Sequence, residues 1–156
     1  EGIHIINDVS GGSLDSEMFD IISKYNRPYI LMHLKGTPKD MMSKTNYDDL
    51  ILDLLNYFRK KINKLNSLGI NDIILDPGFG FAKDFEQNFE ILNNLNSFKI
   101  FDLPILVGLS RKSFIKTKYG VDNSLKGTLD LNKIAIENGA EIIRVHDVKE
   151  HVSLIK

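Results

Sequence analysis

The feature of this sequence that most constrains its fold is the strict alternation of short β-branched runs with longer segments of helical period. Each strand-like run is followed by a polar turn and then by apolar residues three and four apart, as on one face of a helix. Parallel strands joined by helical crossovers are the common way to fold such an alternation, so we predict an α/β protein. The pattern alone leaves open a doubly wound sheet or a (β/α)-barrel. The predicted strands cover residues 3–9, 29–33, 72–76, 104–109 and 141–148.

Start and stop signals place helices between these strands. The longest predicted helix has an apolar stripe over residues 50–68 and ends at Gly69, a residue typical of helix C-termini. Asp84 followed three residues later by Gln87 predicts a capping box at the start of the next helix. The connection over residues 35–46 is long for a loop between a strand and a helix, and loops of this length are often functional.

Two further aspartates are interpreted as helix caps. Asp15 precedes a segment of helical period, and Asp147 is followed three residues later by Glu150. Because a carboxylate before the first turn accepts hydrogen bonds from free backbone N–H groups, both positions predict helix N-termini.

Composition limits the classes of protein to which the chain can belong. With 156 residues, 42% of them hydrophobic, and no linker or low-complexity tract, residues 1–156 are expected to form a single domain. The net charge of −1 gives no basic field for nucleic acid, and no apolar run approaches the ~20 residues that span a bilayer. The absence of cysteine removes disulfides, thiolate zinc sites and a cysteine nucleophile, and it fits a reducing, cytoplasmic location.

Every predicted strand carries polar or ionisable residues at or near its C-terminal end. In parallel α/β folds these ends lie on one face, and that face holds the ligand site. Carboxylate or amide oxygens suit the paired N–H donors of a guanidine-like ring edge, and cations near a helix N-terminus suit an anion. The set predicts a ligand with a hydrogen-bonding ring and a phosphate tail, although any single member could be a helix or turn cap. The residues are Asn7, Asp8, Met32, His33, Asp76, Ser110, Arg111, Lys112, Arg144, His146 and Asp147.

Other kinds of site are not indicated by the sequence. Ser110 has no obvious base with which to form a Ser-His-Asp set, and the four histidines are dispersed rather than spaced for a metal. The turn over residues 76–81 contains two glycines but lacks the spacing of a phosphate-binding loop. Its glycines are expected to set the backbone conformation, with Phe81 either walling the ligand or packing in the core.

Six short motifs follow one another along the chain. They are I-I-N-D-V-S-G-G from Ile5, L-M-H-L-K-G-T-P from Leu31, L-D-P-G-F-G-F-A-K from Leu75, G-L-S-R-K-S-F from Gly108, G-T-L from Gly127 and I-R-V-H-D-V from Ile143. In this order and at this spacing they resemble the dihydropteroate synthases along essentially the whole chain. Ala82 stands where that family usually has a third glycine, which is a mild departure.

The resemblance implies a (β/α)8 TIM-barrel fold of the pterin-binding family. It also implies a transferase of folate biosynthesis, a sulfonamide target, that joins 6-hydroxymethyl-7,8-dihydropterin diphosphate to 4-aminobenzoate and releases pyrophosphate. Asn7 and Asp76 would hold the edge of the pterin in a pocket floored by Met32.

The remaining implied roles belong to residues after the fourth and fifth strands. Lys112 would contact the pterin ring, and Arg144 and His146 would bind the diphosphate, so these three are the implied catalytic residues. Ser110, Lys112 and Phe81 would help to receive the aminobenzoate. The full implied substrate-binding set is Asn7, Met32, Asp76, Phe81, Gly108, Ser110, Lys112, Arg144 and His146.

Some motifs of the family are absent from this chain. The N-V-T-P-D-S-F loop, the E-S-T-R-P-G loop and an aspartate of the third strand do not occur in it. We therefore expect a partial barrel that lacks the N-terminal strands and contains the fourth to the eighth, and we expect the chain to be inactive alone. The resemblance implies Mg²⁺ as cofactor, with no metal ligand assigned in this chain because the metal-binding loop is among the absent motifs. It also implies a homodimer formed through the last helices.

Two rival hypotheses remain from the residues themselves. One is a non-catalytic or methyltransferase-type pterin-binding domain, which would share the pterin Asn and Asp but not Lys112, Arg144 and His146. The other is an unrelated barrel or flavodoxin-like phosphate binder, which would show no selectivity for a pterin.

Overall fold

A computed structural model of the chain describes residues 2 and 4–155 and shows the expected alternation of strands and helices. The strands are β1 (Ile6–Asp8), β2 (Tyr29–Met32), β3 (Ile73–Asp76), β4 (Leu106–Val107) and β5 (Ile142–Ile143). The α-helices are α1 (Met18–Tyr25), α2 (Leu50–Ser67), α3 (Phe85–Asn93), α4 (Ser113–Tyr119), α5 (Ser124–Glu137) and α6 (Val148–His151). Short 3₁₀ helices cover Met41–Ser43, Leu95–Phe101 and Val152–Leu154.

The strands are parallel and lie side by side in the order in which they occur along the chain. β2 pairs with β1 and β3, and β4 pairs with β5. A bridge between Leu75 and Ile105 joins the two groups, where the N–H of Leu75 donates to the carbonyl of Pro104 at 2.8 Å. A doubly wound sheet reverses its strand order at a switch point, whereas a barrel adds each strand beside the last. The sequential order therefore favours an arc of a barrel.

Successive side chains of a strand point to opposite faces of the sheet, and here both faces are buried. On the outer face Leu31 and Leu75 pack with helix residues such as Leu54 and Phe58, all of them fully buried. On the inner face Ile30, Ile74 and Leu106 form a separate cluster, and the half-buried Ile142 packs against it. The sheet thus holds its C-terminal ends in one fixed row, from which the site is built.

The predicted capping box is confirmed, and a helix does begin directly after Asp147, but neither Asp15 nor Asp147 caps a helix through its side chain. Asp84 accepts from the backbone N–H of Gln87, and the side chain of Gln87 accepts in return from Asp84. The carboxylate of Asp15 accepts the backbone N–H of Glu17, which precedes the helix, and α1 begins only at Met18. Asp147 precedes α6 without capping it, because its carboxylate is bound by Arg111.

The strand and helix boundaries also differ from the predicted ones. β1 is shorter than residues 3–9, of which residue 3 lies outside the described part of the chain. β5 ends well before residue 148, because the chain turns after the N–H of Arg144 bonds to the carbonyl of Val107. α4 was not predicted, since its segment contains the β-branched Ile115 and Thr117 and no N-terminal cap. No helix in the described part of the chain is both long and apolar enough to cross a membrane.

Candidate active site

The centre of the site is an ion pair between the ends of two strands that are not neighbours. Asp76 ends β3 and is 1% exposed, and its Oδ2 lies 3.0 Å from Nη2 of Arg144, which follows β5. The other carboxylate oxygen of Asp76 accepts the backbone N–H of Gly78 at 2.8 Å. Because Arg144 is half exposed, its guanidinium is free to exchange the carboxylate for a ligand anion, while the carboxylate stays anchored by the turn.

Lys112 lies beside this pair, above the loop that follows β3. Its Nζ donates to the carbonyl of Phe79 at 2.6 Å and lies 4.2 Å from the centroid of the Phe81 ring. Burial lowers the pKa of Lys112 to about 8; the negative charge of Asp76 opposes this shift and the positive charge of Arg144 adds to it. The ammonium is therefore poorly hydrated and poised to bind a ligand acceptor.

A pocket of about 220 Å³ opens between these groups. Gly108 forms part of its wall, and a methyl group at that position would lie 2.8 Å from Nη2 of Arg144. The absence of a side chain at Gly108 thus lets the guanidinium lie flat against the backbone of the strand end. The pocket is lined by Phe81, Gly108, Ser110, Lys112, Arg144, Val145 and His146.

Ser110 and His146 form a hydrogen-bonded pair in this pocket. Nδ1 of His146 lies 2.9 Å from Oγ of Ser110, and the backbone N–H of His146 donates to the same oxygen at 3.3 Å. The expectation that Ser110 has no base is therefore wrong, because the fold brings together residues 36 positions apart. Among the described residues no carboxylate bonds to His146, so the pair lacks the orienting acid of a catalytic triad.

Arg111 and Asp8, two of the residues at the strand ends, are turned away from the pocket. Arg111 is exposed and holds Asp147 through its Nε at 3.0 Å, and this hydrogen bond keeps the pKa of the Asp147 carboxyl below its usual range. Asp8 accepts hydrogen bonds from Ser10 and Tyr29, as well as from a backbone N–H. Burial by itself would raise the pKa of Asp8, but these hydrogen bonds bring it below the ordinary value. Asp8 and Asp147 therefore bind other protein groups rather than facing the pocket.

Asn7 and Met32 occupy the same inner face as Asp76. Met32 is in register with Asp76 and is buried, in a cluster that includes Phe81. Asn7 is exposed and is in register with Ile30, one step below Met32 on that face. The structure thus places Met32 against Phe81, a residue of the pocket wall, and Asn7 at the edge of the sheet, on the side where β1 has no described neighbour.

One residue of the site was missed by the sequence reasoning. Lys83 is 1% exposed, and its Nζ donates to the carbonyls of Gly78 and Phe81, at 3.0 and 2.9 Å. Its Nζ also lies 3.0 Å from Nδ1 of His33, the residue that follows β2. The signal available in the sequence was its position as the last residue of the L-D-P-G-F-G-F-A-K motif, which by itself assigns no role to the side chain.

The geometry divides the site into two halves. On one side Asp76 offers a carboxylate anchored by Gly78, and Met32 packs in an apolar cluster with Phe81, a combination that suits a flat ring with N–H donors. Ser110, Arg144 and His146 present hydrogen-bond donors on the adjacent side, which suits an anion. Lys112 lies between the two halves.

The chain is similar in sequence to several known proteins. The model of a family described as pterin binding enzyme matches residues 1–146. The chain is 44% identical over 154 residues to the bifunctional dihydropteroate synthase/dihydropteroate reductase of Helicobacter pylori, covering 97% of this chain and 40% of that protein. It is 41% identical over 159 residues to the dihydropteroate synthase of Escherichia coli, covering 99% of this chain and 56% of that protein. The chain thus spans about half the length of the curated relatives it matches.

Solved structures show the same relationship. The Thermus thermophilus dihydropteroate synthase in complex with 6HMPPP superposes with a TM-score of 0.91 at 31% identity, over 97% of this chain and 62% of that one. The Yersinia pestis dihydropteroate synthase in complex with a sulfonamide drug superposes with a TM-score of 0.91 at 39% identity, over 99% of this chain and 57% of that one. These matches confirm that the fold is part of a TIM-type barrel.

Proposed function

The chain belongs to the pterin-binding enzyme family, and on that premise we propose that it supplies the pterin and diphosphate sites of a dihydropteroate synthase. The reaction joins 6-hydroxymethyl-7,8-dihydropterin diphosphate to 4-aminobenzoate and releases pyrophosphate. Because the chain spans about half of its relatives, the activity of the whole protein is part of the proposal.

The observation that carries this proposal is the contact between Asp76 and Arg144, at 3.0 Å, next to the pocket that Arg144 and Lys112 line. A buried acid and a half-exposed arginine at this distance suit a ligand whose ring and charged tail are only a few bonds apart. The substrate has this shape: N–H donors on the ring face the acid, and the diphosphate replaces the acid as partner of the arginine.

In the proposed mechanism Asp76 accepts hydrogen bonds from the pterin edge and Asn7 helps to hold that edge. Arg144 and His146 bind the diphosphate and stabilise the negative charge that grows on it as the bond from the methylene carbon to oxygen breaks. The electron pair of that bond leaves with pyrophosphate. The amine of 4-aminobenzoate, received beside Lys112 and Phe81, forms the new carbon–nitrogen bond and then loses its extra proton to solvent.

Magnesium enters the proposal only through the substrate. Among residues 2 and 4–155 no group of three or more His, Cys, Asp or Glu side chains is placed to hold a metal ion. Mg²⁺ commonly binds through substrate phosphates and one or two carboxylates, and its chemistry would be to neutralise charge on the diphosphate. No step is assigned to it in this chain.

A binding experiment tests the division of the site. We expect Arg144→Ala to weaken binding of pyrophosphate and of the pterin diphosphate by about 10–100-fold, as for loss of one hydrogen bond to a charged group. The same variant should leave 6-hydroxymethylpterin within about twofold. Asp76→Asn should show the reverse pattern, and Arg59→Ala, at an exposed position of α2, is the matched control. Calorimetric titration of each ligand measures these affinities.

Equal loss of both ligands with Arg144→Ala would contradict the assigned anion role, and absence of pterin binding to the unmodified chain would contradict the proposal itself. The reaction is tested by exchanging the matching 56% of the Escherichia coli relative for this chain and assaying formation of dihydropteroate. A folded chimera that binds pterin diphosphate but forms no product would refute the catalytic part.

The location and assembly of the protein are also proposals. The resemblance to dihydropteroate synthases supports a homodimer through the last helices, which light scattering of the purified protein would test. The absence of cysteine from the sequence supports a cytoplasmic location, which fractionation of cells would test.

A further inference from the structure

Lys83 is a buried amino group whose protonated form has all of its hydrogen-bonding capacity in use. An ammonium group has three N–H donors, and three acceptors surround this one: the carbonyls of Gly78 and Phe81 and Nδ1 of His33, each within 3.0 Å. An ion with an exposed fraction of 1% has lost its water, so these three contacts replace its hydration.

The loop that Lys83 holds is the loop that carries the ring half of the site. Gly78 donates its N–H to the carboxylate of Asp76, and the carbonyl of Phe79 accepts from Lys112. The ring of Phe81 lies under the ammonium group of Lys112. The backbone of this loop is left-handed at Gly78, with φ of 73°, which turns the Gly78 carbonyl toward Lys83. Without this buried donor the carbonyl of Phe81 would be unsatisfied, and the carbonyl of Gly78 would keep only the backbone N–H of Phe81.

The third contact ties the loop to the neighbouring strand. His33 follows β2, and its backbone N–H donates to the carbonyl of Asp76 at 3.0 Å. Burial, with the nearby charge of Lys83, lowers the pKa of His33 to about 2, so the ring is neutral and Nδ1 accepts from the ammonium. Lys83 therefore joins the ends of β2 and β3, where Met32 and Asp76 lie.

The residues of the diphosphate half of the site make none of these contacts. Ser110, Arg144 and His146 follow β4 and β5, and Lys83 is not among the residues that line their pocket. A change at Lys83 should consequently affect the two halves unequally.

We propose that Lys83 is a positioning residue, which fixes the backbone of residues 78–81 so that Asp76, Phe81 and Lys112 stand in the correct places for the heterocycle. It touches no reacting atom and acts through the loop. The inference deepens the proposed function, because the ligand that it positions for is the pterin.

Two substitutions in the full chain test this role. Lys83→Met keeps the length of the side chain and removes every donor, whereas Lys83→Arg keeps a charged donor. We expect Lys83→Met to weaken binding of 6-hydroxymethylpterin at least tenfold and to change pyrophosphate affinity less than twofold. Lys83→Arg should recover part of the lost pterin affinity. Lys64→Ala, at an exposed position of α2, is the control.

Amide hydrogen exchange provides a readout that needs no ligand. The N–H groups of Gly78 and Phe81 should exchange at least tenfold faster in Lys83→Met, since both are bonded within the loop, while the N–H of Leu75 in β3 stays protected. Unchanged pterin affinity with protected amides would overturn the proposal, as would equal loss of pterin and pyrophosphate, which indicates a general destabilisation. If the unmodified chain binds neither ligand, the proposed function fails while the exchange result still decides whether Lys83 holds the loop.

Discussion

The substitution Gly108→Ala should separate the stability of the chain from its affinity for anions. In the structure a methyl group at position 108 would lie 2.8 Å from Nη2 of Arg144 and 3.3 Å from Cζ and Nε. Gly108 does not have a positive φ, so its backbone accommodates alanine and the whole conflict falls on the guanidinium. The arginine is half exposed and its side chain is flexible, which means that it swings away from Asp76 rather than forcing the strand apart.

Two opposing contributions set the expected change in the free energy of unfolding. Alanine in place of glycine at a compatible backbone position stabilises a protein by about 0.4–1 kcal/mol, through the unfolded state. Loss of an ion pair with one partner this exposed costs about 0.2–1 kcal/mol. The net change should be within about 1 kcal/mol of zero. Displacement of the arginine removes a charge-assisted hydrogen bond to a bound anion, which corresponds to about 10–100-fold in pyrophosphate affinity.

Urea denaturation and calorimetric titration with pyrophosphate measure the two quantities. Gly69→Ala is the control with the opposite expectation. No heavy atom lies within 4 Å of the added methyl group, but φ of Gly69 is 78°, a conformation that alanine adopts only with strain. The free energy of unfolding should therefore fall by about 1–2 kcal/mol, and pyrophosphate affinity should not change. If Gly108→Ala binds pyrophosphate like the parent chain, Arg144 does not contact the anion from the position seen here. A loss of stability above about 3 kcal/mol would mean that the arginine cannot move aside.

Three further outcomes follow from the packing, the caps and the buried charges. Phe58→Ala should cost about 3–5 kcal/mol of unfolding free energy, because the ring is fully buried against Phe98, whereas Leu52→Ala at a half-exposed site of the same helix should cost far less; urea midpoints compare them. Asp84→Ala should cost about 1 kcal/mol by removing one side of the capping box, and Asp84→Asn should retain most of it, as thermal unfolding would show. Burial lowers the pKa of Lys83 from 10.5 to about 7, so between these values the unfolded chain binds more protons than the folded one, and stability should rise with pH across that window. The rise should be shallower in Lys83→Met by up to about 1.4 kcal/mol per pH unit, and identical slopes would show that the lysine stays charged.

The strand ends illustrate how far a sequence pattern can lead. Asp76 and Arg144 were both expected at one face because parallel strands end on one face, and the structure brings them into contact at 3.0 Å. Asp8 and Arg111 satisfied the same pattern, yet Asp8 binds Ser10 and Tyr29 and Arg111 binds Asp147, outside the pocket. Position at a strand end is a property of local sequence, whereas the direction of a side chain depends on which hydrogen-bond partners the neighbouring loops offer.

The sequence by itself determined the alternation of elements, the parallel direction of the strands and the family motifs, because hydrophobic period, turn residues and residue identities are local properties. Only the tertiary structure decided that His146 bonds to Ser110, that Asp147 is held by Arg111 instead of capping a helix, and that Lys83 is buried under the loop. Each of these contacts joins residues from different loops or strands, and its energy depends on burial and distance. Neither quantity exists until the chain has folded.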